Sequence, residues 1–486
     1  MASVIPEHEP ANEPARKTIH EIKSGETIDR FHVGERVHEG GMSCLYRVTH
    51  PQHRLPMIMK VPKLGAGAPL AAFSAFENEV RIMQRLKGRH VPRLFGVGEL
   101  MRAPYLVMEY IEGDELAQAV ERAPLGVPEL AERGRRLCGA IHDLHRQNVI
   151  HLDLNPRNVR NRRNGDILLV DFGLAHHAQL PDMIDAAFGE EEGTTAFISP
   201  EQVRHIRNEP RSDVFAIGAV LYLLATGEYP FGRPNLISLK KRLFQAPAAP
   251  RAHNPDLPEW MQEIILRCLE THPENRYRSA KQVAHFLSHP DAVKVGRRGR
   301  HRRRRRWLAR AGLWFKSFYT AFDDLPGSRP AEHLTTTPHV LVALDLNHAS
   351  DALKEALRRS VRKFAHSEPH SYFTFMNVMP TSEAYAEGGT ETRTAPMMSR
   401  LAELNNWAQP LRLMAERQYF QVIPAGDAAS AIVDYARHHM IDYIIVGARA
   451  SSALRRYLGS VSAKVVAESP CTVTVVRSRR DTEAGF

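Results

Sequence analysis

Cysteine is scarce: Cys44, Cys138, Cys268 and Cys471 are the only four in 486 residues, and they lie far apart with no metal-ligand spacing. This excludes a disulfide-built scaffold and a zinc module, and leaves the thiols as buried or incidental groups suited to a reducing compartment. No run approaches the length and apolarity of a membrane span, and the acidic, Pro-containing stretch Met1 to Asn12 is unlike a signal peptide. Aromatic residues make up only 7%, yet the apolar fraction of 43% is that of folded material. Acid is missing from residues 297–316, which hold nine Arg and one Lys. That segment accounts for the whole formal charge of +10, so the rest of the chain is neutral and the positive charge acts locally. The length exceeds a single core and calls for at least two domains.

Two short stretches carry most of the chemistry. His151-Leu152-Asp153-Leu154-Asn155-Pro156-Arg157-Asn158 offers a carboxylate and, five residues on, a carboxamide. Asp171-Phe172-Gly173 offers a second carboxylate just after the apolar run Ile167 to Val170. Phosphoryl transfer needs Mg²⁺ held against phosphates and an acceptor hydroxyl oriented toward them. Asp153 suits the hydroxyl proton, and Asn158 and Asp171 supply hard oxygens for the metal. These stretches resemble the catalytic loop and metal motif of the eukaryotic-type protein kinases, as found in bacterial serine/threonine kinases. The resemblance implies an α+β bilobal fold over 31–288, with a small lobe at 31–108 and a large lobe at 113–288, after a disordered tail at 1–30.

The remaining kinase features follow in order. Strands around Phe31 to Val33 and Leu45 to Val48 flank Glu39-Gly40-Gly41-Met42-Ser43, and Pro56 to Val61 forms a third strand. Gly40, Gly41 and Ser43 are thereby placed over ATP phosphates, with Lys60 reaching them from below. The loop departs from the family pattern, with His38 at the first glycine position and Ser43 at the third. A helix over Leu70 to Leu86 carries Phe73, Phe76, Val80, Met83 and Leu86 near one face. Glu77 and Glu79 are both available to pair with Lys60, and the resemblance selects Glu79. Met108 resembles the residue gating the back pocket, while Glu109 and Ile111 offer backbone groups to the adenine. Leu152 stands where the family commonly has the phosphate-receiving Arg, and Asn155 where it has a γ-phosphate Lys. The activation segment contains Glu190 to Glu192, Thr194 and Thr195, read as solvated acid beside two threonines. Glu201, Asp213 and Arg276 fall where the resemblance implies bracing roles: Asp213 for the catalytic loop backbone, Glu201 and Arg276 as an ion pair.

Residues 289–337 read as an Arg-rich linker. Trp307, Leu308, Ala311, Trp314, Phe315 and Phe318 recur on one helical face, so residues 297–318 suit an anionic membrane surface. Packing of that helix on a domain, with the arginines solvated or on an acidic partner, is an equal alternative. Nucleic acid ranks last because no nucleic-acid fold accompanies the run. From His339 onward, strands and helices alternate, implying a parallel sheet with helices on both faces over 338–478, before a tail at 479–486. The region resembles the universal stress protein family. There Asp345 faces the adenosine, and Gly447, Gly459 and Ser460 belong to a phosphate-binding run that here has Ala450 at its second glycine and is one residue short. Together these features imply an ATP- and Mg²⁺-dependent serine/threonine protein kinase of stress signalling. It would act on protein substrates, lie in the cytoplasm or peripherally on a membrane, and pair as a homodimer through Thr472 to Val476. The alternative is a nucleotide-binding pseudokinase scaffold.

Overall fold

The computed structural model describes residues 22–63, 70–99, 103–111, 116–162, 164–182, 184, 194–233, 239, 241–301, 338–384, 395–414, 417–439, 441–448 and 459–478. Strands β1 (Thr27–Ile28), β2 (Phe31–Glu39), β3 (Ser43–His50), β4 (His53–Pro62), β5 (Leu94–Val97) and β6 (Leu106–Glu109) form one antiparallel sheet of order β1-β2-β3-β4-β6-β5. The expected tail is shorter than 30 residues: Thr27 pairs with His32, and Ile22 is buried in the outer core of this sheet. Alternation in β4 sends Met57 and Met59 to that outer core and Ile58 to the inner one. Helix α1 (Leu70–Met83) covers the inner face with Phe76, Val80 and Met83. Phe73 does not join them. It packs with the core of the C-terminal domain, because α1 is buried on two sides and Phe73 lies toward the second.

The large lobe holds α2 (Leu116–Glu121), α3 (Val127–His145), α4 (Pro200–Val203), α5 (Arg211–Thr226), α6 (Glu259–Cys268), α7 (Ala280–Ser288) and the short α8 (Arg297–Arg300). Helix α5 is buried almost throughout, and α3 approaches it closely at Gly134, where a Cβ would stand 2.8 Å from Leu221 Cδ2. Two ribbons, β7 (Val149–Ile150) with β10 (His176–His177) and β8 (Val159–Asn161) with β9 (Ile167–Leu169), frame the cleft floor. The start of the expected linker belongs to this lobe. Glu263 accepts from the Gly296 and Gly299 amides at 3.0 and 2.9 Å, and Arg298 pairs with Glu263 and Glu270. The aromatic helix expected at 307–318 lies outside the described residues.

In the C-terminal domain, β11 (His339–Ala343), β12 (Tyr372–Met379), β13 (Gln418–Pro424), β14 (Tyr443–Gly447) and β15 (Thr472–Val476) form a parallel sheet of order β13-β12-β11-β14-β15. Alternation along β11 puts Val340 and Val342 on one buried face and Leu341 and Ala343 on the other. Helices α9 (Asp351–Ser367) and α10 (Ala395–Ala408) cover the first face. The second is covered by α11 (Ala428–His438) and α12 (Ser460–Glu468). Ser350 caps α9 by accepting from the Leu353 amide.

His339 is buried at the start of β11 against Thr374 Oγ1 at 2.7 Å, and burial, aided by His439, pushes its imidazole down to about 3. A histidine depressed in the folded state resists protonation while the unfolded chain accepts it below about pH 6.5. Domain stability is therefore expected to fall as pH drops from about 6.5 toward 3, by up to ~1.4 kcal/mol per pH unit from this group. Protection factors of the β11 amides between those limits, compared with His339→Gln, measure it. Equal slopes for the two proteins would refute the assignment.

Candidate active site

Lys60 shares the inward face of β4 with Ile58, and its Nζ lies 2.6 Å from Glu79 Oε2 and 3.1 Å from Asp171 Oδ1. The choice between two glutamates resolves to Glu79, since Glu77 pairs with Arg81 instead. Burial works against the Lys60 charge, but Asp171 and Glu79 outweigh it and hold the ammonium above the ordinary lysine range. The Lys60 charge in turn holds Asp171 below the usual carboxylate range. One residue before Glu79, the buried Asn78 amide donates to the carbonyls of Phe172, Gly173 and Ala175 at 3.4, 3.0 and 2.8 Å. Helix α1 thus grips both the lysine and the Asp171 segment. Sequence reasoning passed over Asn78; its place on the inward side beside Glu79 was the available signal.

Asn158 and Asp171 come together through the β8–β9 ribbon. Asn158 immediately precedes β8, Asp171 follows β9 by two residues, and the Val170 amide donates to the Asn158 carbonyl at 3.0 Å. The Asn158 side-chain nitrogen donates to the Asp153 carbonyl and to its Oδ2, both at 2.9 Å. Asn155 donates to Asp153 Oδ1 at 3.2 Å and caps the turn Pro156–Asn158 by accepting from the Arg157 amide. The residue in place of the family's lysine therefore orients the carboxylate.

Leu152 is held at φ 59° and Asp171 at φ 66°, left-handed conformations that cost a side-chain-bearing residue of order 1–3 kcal/mol. The surroundings of Leu152 over-determine it. The His151 and Leu152 amides donate to Asp213 at 2.9 and 3.0 Å, and Gln202 donates to the Leu152 carbonyl at 2.7 Å. Leu152 is buried, so apolar packing occupies the position of the phosphate-receiving arginine. Arg276 and Glu201 form the expected buried bidentate pair, with Nη2 2.7 Å from Oε2, and Ser212 adds a hydroxyl to Glu201. Arg242, also buried, donates to the Thr195 and Ile198 carbonyls and so ties down the end of the activation segment. The acidic run at 190–192 lies outside the described residues.

At the cleft rim Met108 is buried opposite Ile58, and Ile111 is half-buried. The Glu109 amide is spent on the Arg93 carbonyl at 2.8 Å, and its carboxylate pairs with Arg162. That amide is therefore not available to an adenine. In the hairpin tip the Gly40 amide donates to the Ser43 carbonyl and the Met42 carbonyl accepts from Lys63, both at 2.9 Å. Gly40 therefore closes the turn rather than presenting its N–H to a phosphate, while Gly41 stands exposed at the tip.

The second set of predicted site residues lies about 300 positions further on. Asp345 follows β11, Gly447 ends β14, and these two strands are neighbours where the strand order reverses, the usual crevice of an open α/β sheet. Asp345 accepts from the His348 amide at 3.0 Å, Gly459 precedes α12, and Ser460 opens that helix, exposed. Residues 449–458, including Ala450, lie outside the described residues.

The donor set fits a hard divalent cation: Asp171 offers carboxylate oxygen, and Asn158, its nitrogen committed to Asp153, offers amide oxygen. Among the described residues no group of three or more His, Cys, Asp or Glu forms a self-sufficient metal cage. A metal shared with phosphates needs none.

Comparison with known proteins agrees with this geometry. The protein kinase domain family matches residues 31–290, and the universal stress protein family matches residues 336–477. The serine/threonine-protein kinase PknL of Mycobacterium bovis is 31% identical over 262 residues, covering 53% of this chain and 65% of PknL. PknB of Mycolicibacterium smegmatis is 27% identical over 279 residues, covering 55% of this chain and 45% of PknB. The chain thus spans less than two thirds of either relative. The crystal structure of the Mycobacterium tuberculosis PknI kinase domain covers 55% of this chain and 99% of its own, at 24% identity and a TM-score of 0.44. With its lysine, glutamate, catalytic-loop and Asp-Phe-Gly residues in contact as described, the chain belongs to the protein kinase domain family.

Proposed function

We propose that this chain is a serine/threonine protein kinase that transfers the γ-phosphoryl group of ATP, with Mg²⁺, to protein hydroxyls. One observation carries the reading: Lys60 joined to both Glu79 and Asp171, with Asn158 already bonded to Asp153. These contacts support a phosphate side at Lys60 and a hydroxyl side at Asp153. Lys60 binds the α- and β-phosphates, and Asp171 and Asn158 hold the metal, which when bound neutralises phosphate charge. Asp153 orients the substrate hydroxyl and accepts its proton as oxygen bonds to the γ-phosphorus and the bond to the ADP oxygen breaks. Full-length protein incubated with γ-labelled ATP, Mg²⁺ and a mixture of basic proteins is expected to label serine and threonine. No label under broad conditions would sink the proposal. The pseudokinase reading draws on the Gly40 amide, closed onto Ser43, and on Leu152 and Asn155 in place of cations.

The same reading extends to the C-terminal domain. Asp345, Gly447, Gly459 and Ser460 are proposed to hold a nucleotide at the crevice, linking the kinase to stress signalling. The free thiols suit the cytoplasm, and attachment to an anionic membrane would rest on residues 297–318. Strand β15 is paired on one side only among the described residues, with Val473 and Val475 half-buried, and is the proposed homodimer edge. Sedimentation of the full-length protein at micromolar concentration is expected to give the dimer mass. A monomer across that range removes the dimer from the proposal.

A further inference from the structure

Helix α1 is buried on two sides, and its second side meets the C-terminal domain. Phe73, Glu77 and Arg81 recur at i, i+4 and i+8, on the side turned from Phe76, Glu79 and Met83. Phe73 is 3% exposed and packs into the core that contains Phe375 and Trp407. Arg81 lies over the Tyr419 ring, 3.7 Å from its centroid, donates to the Gln418 carbonyl and pairs with Glu77. A second contact grips the segment after Asp-Phe-Gly. The His439 ring donates to the Asp182 carbonyl, while the Asp182 carboxylate pairs with Arg207 at 2.6 Å. Tyr372 packs against the kinase core as well as its own.

These C-terminal groups share one end of the sheet. Tyr372 opens β12, Gln418 and Tyr419 open β13, and His439 follows the last residue of α11. The contact face is therefore the N-terminal end of the parallel strands, opposite the crevice at Asp345 and Gly447.

We infer that the floor of the stress-type sheet is a built-in docking face for the kinase domain, clamping α1 and residues 171–182 together. The clamp acts on the two parts that must hold still. Arg81 is two residues from Glu79 and three from Asn78, so fixing it fixes the helix that presents both to Lys60 and to the Phe172–Ala175 carbonyls. The contacts with the kinase domain lie at the end of the sheet away from the crevice, so a crevice ligand need not undock the domain. The docking itself stands apart from the proposed activity; only the rate measurement below rests on that reading.

The test uses full-length protein and hydrogen exchange. Tyr419→Ala and Arg81→Ala are each expected to speed exchange over 70–83 and over 171–182 by at least tenfold. The double variant should be no worse than either single one, as for two halves of one contact. Tyr419→Phe keeps the ring and should match wild type, which separates docking from a folding defect. Unchanged exchange at 70–83 in both alanine variants overturns the docking, and loss confined to one of the two segments overturns the clamp. Phosphoryl transfer, if wild type performs it, should slow about tenfold in Tyr419→Ala. An unchanged rate with faster exchange overturns the coupling to Lys60. A silent wild type would instead fail the kinase proposal and leave the exchange result decisive.

Discussion

Asp153→Asn is expected to lower phosphoryl transfer by about 10³-fold while leaving nucleotide affinity nearly unchanged, the range for removing a positioned general base. The substitution keeps shape and removes the acceptor. Asp153 receives Asn155 on one carboxylate oxygen and Asn158 on the other, so a carboxamide must present its own NH₂ to one of them. Losing one such bond costs about 1 kcal/mol, too little to unfold the domain. The phosphate side rests on Lys60, joined to Glu79 and Asp171, which is why nucleotide affinity should survive. Single-turnover transfer from labelled ATP, beside a nucleotide-binding titration, reads both. A loss below tenfold would mean that Asp153 does not take the proton. A parallel loss of affinity would mean that the change had spread through Asn158 to the metal side.

The parts legible in the sequence were those with a local pattern. The alternation of strands and helices read from His339 onward is the parallel sheet with helices on both faces that the structure shows. Strand order was legible only as alternation. The reversal that seats Asp345 beside Gly447 depends on long-range pairing. Lys60, Asp153, Asn158 and Asp171 were legible because each stands in a short motif. Asn78 was not, because an asparagine inside a helix carries no pattern until its carbonyl partners, nearly a hundred residues away, are known. Phe73 was assigned to the wrong neighbours for a related reason. One stripe of apolar residues cannot show that a helix serves two cores. The assignment of 289–301 to a linker overlooked that Glu263 and Glu270, distant in sequence, neutralise Arg298 and dock the segment.

The second large effect is expected at Asp213, which no substrate touches. Its buried carboxylate accepts from His145 Nε2 at 2.8 Å and from the His151 and Leu152 amides at 2.9 and 3.0 Å. Asp213→Asn replaces one oxygen by an NH₂ that faces a donor. At least one buried N–H then loses its partner, at about 1–3 kcal/mol. The left-handed Leu152, which stores of order 1–3 kcal/mol of strain, is then free to relax. The unpaired N–H destabilises the variant by about 1–3 kcal/mol at neutral pH, and the strain that Leu152 releases offsets part of it. Because Asp153 follows Leu152 directly, relaxation also moves the base, and transfer should fall about 100-fold in protein that remains folded. Acid separates this from a packing defect. Burial alone would raise the Asp213 carboxyl, but His145 and then His151 with its amide hold it below the ordinary range. Its contribution is therefore present above the unfolded value near 4 and is lost as pH falls below it, so the gap between wild type and Asp213→Asn should narrow there. Urea unfolding at neutral pH and near pH 3.5, with transfer rates at the former, tests all three statements. The bracing role fails if the variant matches wild type in both stability and transfer rate at neutral pH. It fails equally if the gap stays constant into acid, since a group that titrates in the folded protein must carry its stabilisation away with its charge.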